Sequence, residues 1–438
     1  MSQWIEPFTN WLSSNPQWLA AAVLLIALTE CLAIVGLIVP GTFLLFAVSA
    51  LAGSSSLSLG ETLLLAYCGG LLGDALSYAL GRFFHEDIRR LPGLRQKAHW
   101  LTHAENYFQR YGIASLLVGR FIGPLRPMLP MIAGMLNMPL PRFIVVSLVA
   151  AAGWAVAYIL PGWATGAALR LPLPSGFWSE AAIVASAIAL FLLVAAQSNL
   201  RDQRHASLYT AGVGLIALIA MFIGWPHLTE LDQGLMALIQ EQRSSHADLF
   251  AQSVTHLGDF TTQLAVGALL CLLLIAAKQW RSALFSAMTL LGTAFSNHAL
   301  KLMFARQRPD VLAEPLSSFS FPSGHSSAAF AFFLVLGVLA GRGQPARLRL
   351  TWLIMACIPA LMIACSRVYL GVHWPTDIIG GALLASTLCA ASLAATQSKR
   401  PLAAMSLKAW WLILPACTAL LAGISIWQFS SNVLQYRY

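Results

Sequence analysis

Charge is scarce in this chain: Asp, Glu, Lys and Arg make up 10% of its 438 residues, where ordinary globular chains carry roughly 25%. That scarcity, together with 58% hydrophobic residues, excludes a soluble cytoplasmic enzyme and a disordered protein, and makes the bilayer the solvent to reason with. A disulfide pattern is missing too. The seven cysteines (Cys31, Cys68, Cys271, Cys357, Cys365, Cys389, Cys417) all lie inside apolar runs without metal-like pairs. They read as small core hydrophobes, not as a secreted disulfide scaffold. Residues Met1 to Leu19 lack a basic segment followed by an apolar core, which argues against a cleaved signal peptide. Trp4, Ile5, Phe8, Trp11 and Leu12 among polar neighbours predict an interfacial amphipathic helix instead. Acids are fewer than bases, 17 against 26, leaving a formal charge of +9. No basic stripe with interleaved aromatics goes with it, so nucleic acid is not the partner. Basic residues retained in cytoplasmic loops account for the excess.

Apolar runs able to enter or cross a bilayer (about 20 residues each) lie at 20–53, 62–81, 112–136, 143–165, 178–197, 208–224, 261–277, 283–304, 324–341, 350–370, 376–396 and 409–428. The polar segment 197–207 is the predicted domain boundary, and 225–258 reads as a long loop. Two runs are peculiar. The first contains Glu30 and breaks at Pro40-Gly41; the third contains Arg120, Arg126, Pro124, Pro127 and Pro130. Charges and prolines at that depth are tolerated only against protein or a water-filled cavity, so both read as re-entrant hairpins. With 197–207 cytoplasmic, its side of the second half holds Arg201, Arg204, Lys278, Arg281, Arg342, Arg347, Arg349, Lys399, Arg400 and Lys408, against Arg243 and Arg437 opposite. That bias fits the positive-inside rule. Extended backwards, the alternation works only if both peculiar runs return to the side they entered, an inverted-repeat arrangement.

Three short motifs then fall at the outer ends of successive runs. They are Lys301 and, after six residues, Arg308-Pro309; Pro322-Ser323-Gly324-His325; and Ser366-Arg367, five residues, His373, three residues, Asp377. Lys301, Arg308 and Arg367 offer three cations, two of them forked guanidinium groups that match phosphate oxygens. Ser323 and Gly324 open a helix whose amide N–H groups face an anion. His325 and His373 remain for acid–base and covalent work, and Asp377 stands one helical turn from His373, close enough to orient it. The pattern suits hydrolysis of a phosphomonoester or pyrophosphate without metal or cofactor, one histidine attacking phosphorus and the other protonating the leaving oxygen. No clustered acids offer the oxygen ligands that Mg²⁺ wants. Nearby, Asn297 and His298 read as capping or packing groups. Arg306 reads as an anion-steering or headgroup residue, and His246, His256 and Asp259 as parts of a solvated loop.

These motifs resemble the tripartite signature of the type 2 phosphatidic acid phosphatase family, over residues ~205–400. The resemblance implies His373 as nucleophile oriented by Asp377, His325 as general acid, and Lys301, Arg308, Ser323, Gly324 and Arg367 as phosphate ligands. Residues ~15–197 are similar to the DedA family. The likeness is carried by Glu30, Val39-Pro40-Gly41, Gly73-Asp74, Tyr78, Gly81-Arg82, Gly119-Arg120-Phe121, Pro124, Arg126, Gly134 and Gly153-Trp154. It implies a lipid flippase or scramblase in which Glu30, Asp74, Arg82, Arg120 and Arg126 serve transport. That family follows Pro-Gly with an acid, and this chain has Thr42, so Glu30 acts alone or with Asp74.

The expected architecture is therefore an all-α integral membrane protein. A DedA-like domain (1–200) with two re-entrant hairpins precedes a six-helix lipid-phosphatase bundle (201–400) and an extra C-terminal transmembrane helix (401–438). The expected activity is hydrolysis of a lipid phosphate or pyrophosphate, best undecaprenyl pyrophosphate, at the outer face of a bacterial inner membrane, coupled to lipid flipping. The alternatives are a phosphatidic acid or phosphatidylglycerophosphate phosphatase fused to a general scramblase, and a transporter with a non-catalytic phosphatase-like module. Membrane lipids and a lipid phosphate are the expected partners, and a homo-oligomer is left open.

Overall fold

Backbone polar groups in hydrocarbon must be satisfied within their own segment, which favours helices, and no strand occurs among the described residues. The computed structural model describes residues 10–33, 35–38, 41–55, 57–84, 112–121, 125–200, 205–311, 318–398 and 400–429, with Pro7, Glu105, Asn106 and Phe108. Seven of the described helices are long and apolar enough to cross a membrane, or eight if the bent pair Ser245–Gly258 and Phe260–Ala276 is one span. The chain is a multi-pass membrane protein. It divides into two units at Leu173–Pro174.

The first unit contains α1 (Leu19–Cys31), α2 (Gly41–Ser54), α3 (Leu59–Phe83), α4 (Ile113–Gly119), α5 (Met128–Met135) and α6 (Leu140–Arg170). α1 and α2, of 13 and 14 residues, are both too short to cross a bilayer of about 30 Å at 1.5 Å per residue. Thus the apolar run 20–53 is divided into α1, a single helical turn at Val35–Ile38 and α2, and 112–136 is likewise divided between α4 and α5. Val39, Pro40 and Pro124, which marked these runs in the sequence, lie outside the described residues, as do Trp4, Ile5 and Phe8 of the proposed N-terminal amphipathic helix. Lipid gives no hydrophobic drive between helices, so small residues must let backbones close up. A Cβ at Gly166 of α6 would stand 1.8 Å from the Ala50 carbonyl oxygen of α2, and one at Gly69 of α3 would stand 2.3 Å from the Leu24 carbonyl oxygen of α1. Gly166→Leu is therefore expected to cost about 3 kcal/mol through overpacking, measured as a lowered unfolding temperature in detergent.

The second unit contains α7 (Phe177–Leu200), α8 (Ala206–Gly224), α9 (Thr229–Gln240), α10 (Ser245–Thr255), α11 (Phe260–Ala276), α12 (Trp280–Phe304), α13 (Gly324–Ala340), α14 (Ala346–Tyr369), α15 (Pro375–Thr396) and α16 (Leu407–Phe429). The break between units comes earlier than the polar segment 197–207. Pro172 and Pro174 interrupt helix after α6, and α7 packs on α8, α9 and α14. Glu180 of α7 also accepts the Leu231 amide of α9 at 2.8 Å. The segment 225–258 is not an irregular loop: α9 and α10 fill most of it, α9 burying Leu231, Met236 and Leu238 and α10 burying Ala251 and Val254. α13, with Phe330, Phe332 and Val335 buried, is central and packs against α12, α14 and α15. Ile183, Leu190, Ile216, Ile223, Leu291 and Phe295 are exposed, an apolar surface of the kind that lipid covers.

Candidate functional site

Four chain breaks assemble the main site. α12 ends at Ala305, whose left-handed backbone (φ 44°) turns the chain just after Lys301 and places Arg306 and Arg308 in the following extended segment. α13 begins at its N-cap Ser323, whose hydroxyl accepts the Ser326 amide at 3.4 Å and the Ser326 hydroxyl at 2.9 Å. α14 ends after Arg367, and Gly371 (φ 70°) turns the chain to His373. α15 then starts at Pro375, with Asp377 accepting the Trp374 amide at 2.8 Å. The Ser323 amide donates to the Asp377 carbonyl oxygen at 3.0 Å, which holds the second and third motifs together. With that amide engaged, the open first-turn donors of α13 are those of Gly324 and His325.

The nucleophile candidate is held from both sides. His373 Nδ1 lies 3.2 Å from Asp377 Oδ2, and Arg308 Nη1 lies 3.3 Å from His373 Nε2 while donating to the Val372 carbonyl at 2.6 Å. Arg308 Nε and Nη2 bond Ser318 at 2.7 and 2.8 Å. Lys301 donates to the Phe319 carbonyl, and Arg367, 2% exposed, donates to Thr255 Oγ1 at 2.9 Å. Burial, then Arg308, Arg367 and Lys301, hold the His373 imidazole well below its usual pKa, so it is neutral at pH 7. A neutral ring whose Nδ1–H points at a carboxylate carries its lone pair on Nε2, the nitrogen that faces the cations.

Two groups of residues stand in surroundings that their sequence neighbours do not indicate. Arg306 is not a headgroup residue. It is 9% exposed and donates to Asp377 Oδ1 (2.8 Å), Thr376 Oγ1 (2.7 Å) and Asp232 Oδ2 (2.6 Å), with Trp225 stacked at 4.5 Å. It thereby fixes the carboxylate that fixes His373. Nor are His256 and Asp259 solvated loop residues: Asp259 Oδ1 lies 2.7 Å from His325 Nε2, and Asp259 Oδ2 lies 3.1 Å from His256 Nδ1. The pairings Asp232–Arg306 and Asp259–His325 had no signal in the sequence, since 74 and 66 positions separate the partners. Asn297 is buried and donates to the Pro322 carbonyl at 3.2 Å, while His298 is exposed.

The first unit has a separate, buried charge cluster. Arg120 pairs with Asp74 and Arg126 with Glu30, all four at most 5% exposed. Thr42 donates to Glu30 Oε1 at 3.0 Å, so the residue standing where the family has an acid lies against the acid that remains. Ser147 donates to Asp74, Arg126 Nε to the Arg120 carbonyl at 3.0 Å, and Tyr158 lies 4.4 Å under the Arg126 guanidinium. Asp74, Arg120, Arg126 and Ser147 line one cavity. Arg82 is not part of the cluster; it is exposed in the last turn of α3.

Family models match this chain twice, as a VTT domain over residues 39–164 and as the PAP2 superfamily over residues 282–401. It is a VTT–PAP2 fusion. The VTT match, of the DedA class, takes in Asp74, Arg120 and Arg126 of the buried charge cluster, with Glu30 just before it, and the PAP2 match takes in the two histidines. Inner membrane protein YabI of Escherichia coli strain K12 is 40% identical over 151 residues, 34% of this chain and 59% of its own length. A membrane protein of Buchnera aphidicola subsp. Baizongia pistaciae is 30% identical over 247 residues, 54% of this chain and 92% of its own. Phosphatidylglycerophosphatase B of Bacillus subtilis is 41% identical over 90 residues, 19% of this chain and 43% of its own. The fusion thus spans about three fifths of YabI and two fifths of the phosphatase.

Proposed function

We propose that the PAP2 domain is a lipid phosphatase of the bacterial inner membrane that works through a phosphohistidine, and that the VTT domain moves lipid across the same bilayer. The observation that carries the first part is the His373 ring, bonded to Asp377 through Nδ1 and facing Arg308 through Nε2. His373 Nε2 attacks phosphorus, the bond to the leaving oxygen breaks, and His325 gives that oxygen its proton. Water then attacks the phosphohistidine; His325 takes one of its protons, phosphate leaves and His373 is restored. Lys301, Arg308, Arg367 and the amides of Gly324 and His325 neutralise charge on the equatorial oxygens, the task a metal performs elsewhere. Asp377 and Arg306 keep the nucleophile in its tautomer.

The likeness to phosphatidylglycerophosphatase B supports a lipid phosphate as substrate. A lipid pyrophosphate, undecaprenyl pyrophosphate foremost, suits the fusion best. A carrier dephosphorylated outside has to return inward to be reused, and a lipid-moving domain on the same chain provides that step. The active site accordingly faces the periplasm. In a panel of phosphatidic acid, phosphatidylglycerophosphate and undecaprenyl pyrophosphate, the last is expected to release phosphate fastest, at a rate unchanged by EDTA. Release from the two phospholipids alone would move the assignment to a phospholipid phosphatase joined to a scramblase.

A further inference from the structure

The second unit contains a second carboxylate–histidine arrangement, which the three motifs do not include. Asp259 lies at the bend between α10 and α11, after the short 3₁₀ turn His256–Gly258. Its Oδ1 is 2.7 Å from His325 Nε2 and its Oδ2 is 3.1 Å from His256 Nδ1. The bend is built for close approach: a Cβ at Gly258 would stand 3.1 Å from both Cβ and Cδ2 of His325, and 2.6 Å from Ile363 Cγ2. His256 is 3% exposed, so its contact with Asp259 is made in the interior.

We infer that Asp259, backed by His256, is the positioning residue of the general acid, the counterpart for His325 of what Asp377 is for His373. The argument rests on the proposed phosphatase reaction and on charge. A general acid at neutral pH has to carry a proton, yet burial, and after it Arg367 and Arg308, oppose the protonation of His325. A carboxylate against one ring nitrogen stabilises the imidazolium and takes up the Nε2–H. That leaves Nδ1–H to donate to the leaving oxygen. The two histidines thus receive carboxylates with opposite effects. Asp377, itself engaged by Arg306, holds a neutral ring with its lone pair on Nε2, whereas Asp259, whose other oxygen faces His256, favours protonation of the ring it meets.

The test compares wild-type protein, Asp259→Asn, Asp259→Glu and His325→Ala in full-length form, reading phosphate release across pH from a lipid phosphate and from p-nitrophenyl phosphate. The leaving phenolate of the second substrate needs little protonation. For the lipid phosphate, Asp259→Asn is expected to lower kcat about 100-fold and to bring the alkaline fall in kcat/KM to lower pH, with Asp259→Glu restoring much of both. For the aryl phosphate the loss is expected to be no more than about threefold, and His325→Ala should show the same dependence on the leaving group. Equal losses on the two substrates with an unmoved pH profile would make Asp259 a merely structural residue and overturn the inference. So would wild-type rates in Asp259→Asn. If Asp259→Asn fails to fold, the Asp259→Glu profile decides: a wild-type alkaline limb with uniformly reduced rates counts against the inference. Wild-type protein inactive on every lipid phosphate would defeat the phosphatase reading itself, and the inference with it.

Discussion

His373→Ala is expected to lower phosphate release by at least about 10³-fold, a barrier increase of about 4 kcal/mol. The expectation follows from the unshared work of this ring: no other described nucleophile sits between Arg308 and a carboxylate. Hydroxylamine-sensitive, acid-labile label from ³²P-substrate should appear in wild-type protein and be missing in the variant. Retained release by His373→Ala would reduce the PAP2 domain to a binding module. The pH dependence has a definite sign. Burial and the neighbouring cations depress the pKa of His373, so the ring stays an unprotonated nucleophile below its ordinary titration range. The acid limb of kcat/KM should therefore lie below about pH 6.5. Arg306→Ala, by freeing one oxygen of Asp377, is the change that should pull this limb upward, because an uncompensated carboxylate then favours the imidazolium.

How much of this was legible in the sequence depended on the distance over which each signal acts. Long apolar runs with clear ends gave α3, α6 and α7 within a few residues, because bilayer thickness and helical rise fix their lengths. The two interrupted runs were legible as anomalies through Glu30, Arg120 and Arg126. The three motifs were legible because each sits at a helix end, where proline, glycine and serine mark the chain locally. What escaped was the support behind them. Asp232 and Asp259 lie in the segment 225–258 and just after it, where amphipathic helices of 12 and 11 residues look like a loop beside 20-residue spans. Nothing local in a carboxylate says which arginine or histidine it will meet. The same limit applied to Thr42, whose place against Glu30 only the packing of α1 on α2 reveals.

In the first unit, Arg126→Ala and Glu30→Ala are each expected to destabilise the fold by about 3–5 kcal/mol, the cost of leaving one buried charge without its partner. Thermal unfolding in detergent would measure it, and loss of lipid transfer in vesicles would accompany it. Stability alone does not assign a function, since a purely structural ion pair would also hold α1 against the segment before α5. The double change Glu30→Gln with Arg126→Met separates the two roles. Removing both charges leaves no orphan, so stability should return to within about 1 kcal/mol of wild type. Transport should not return if the pair handles a lipid phosphate or a proton. The geometry favours that outcome. Glu30 Oε2, Arg120 Nε and Trp154 Nε1 are buried without a hydrogen-bonding partner, beside a cavity lined by Arg120 and Arg126. A cluster evolved purely as structural support would satisfy these groups, since each unmet buried donor or acceptor costs about 1–3 kcal/mol. Recovery of both stability and lipid transfer in the double variant would make the four charges scaffolding and place the transport path elsewhere in the domain.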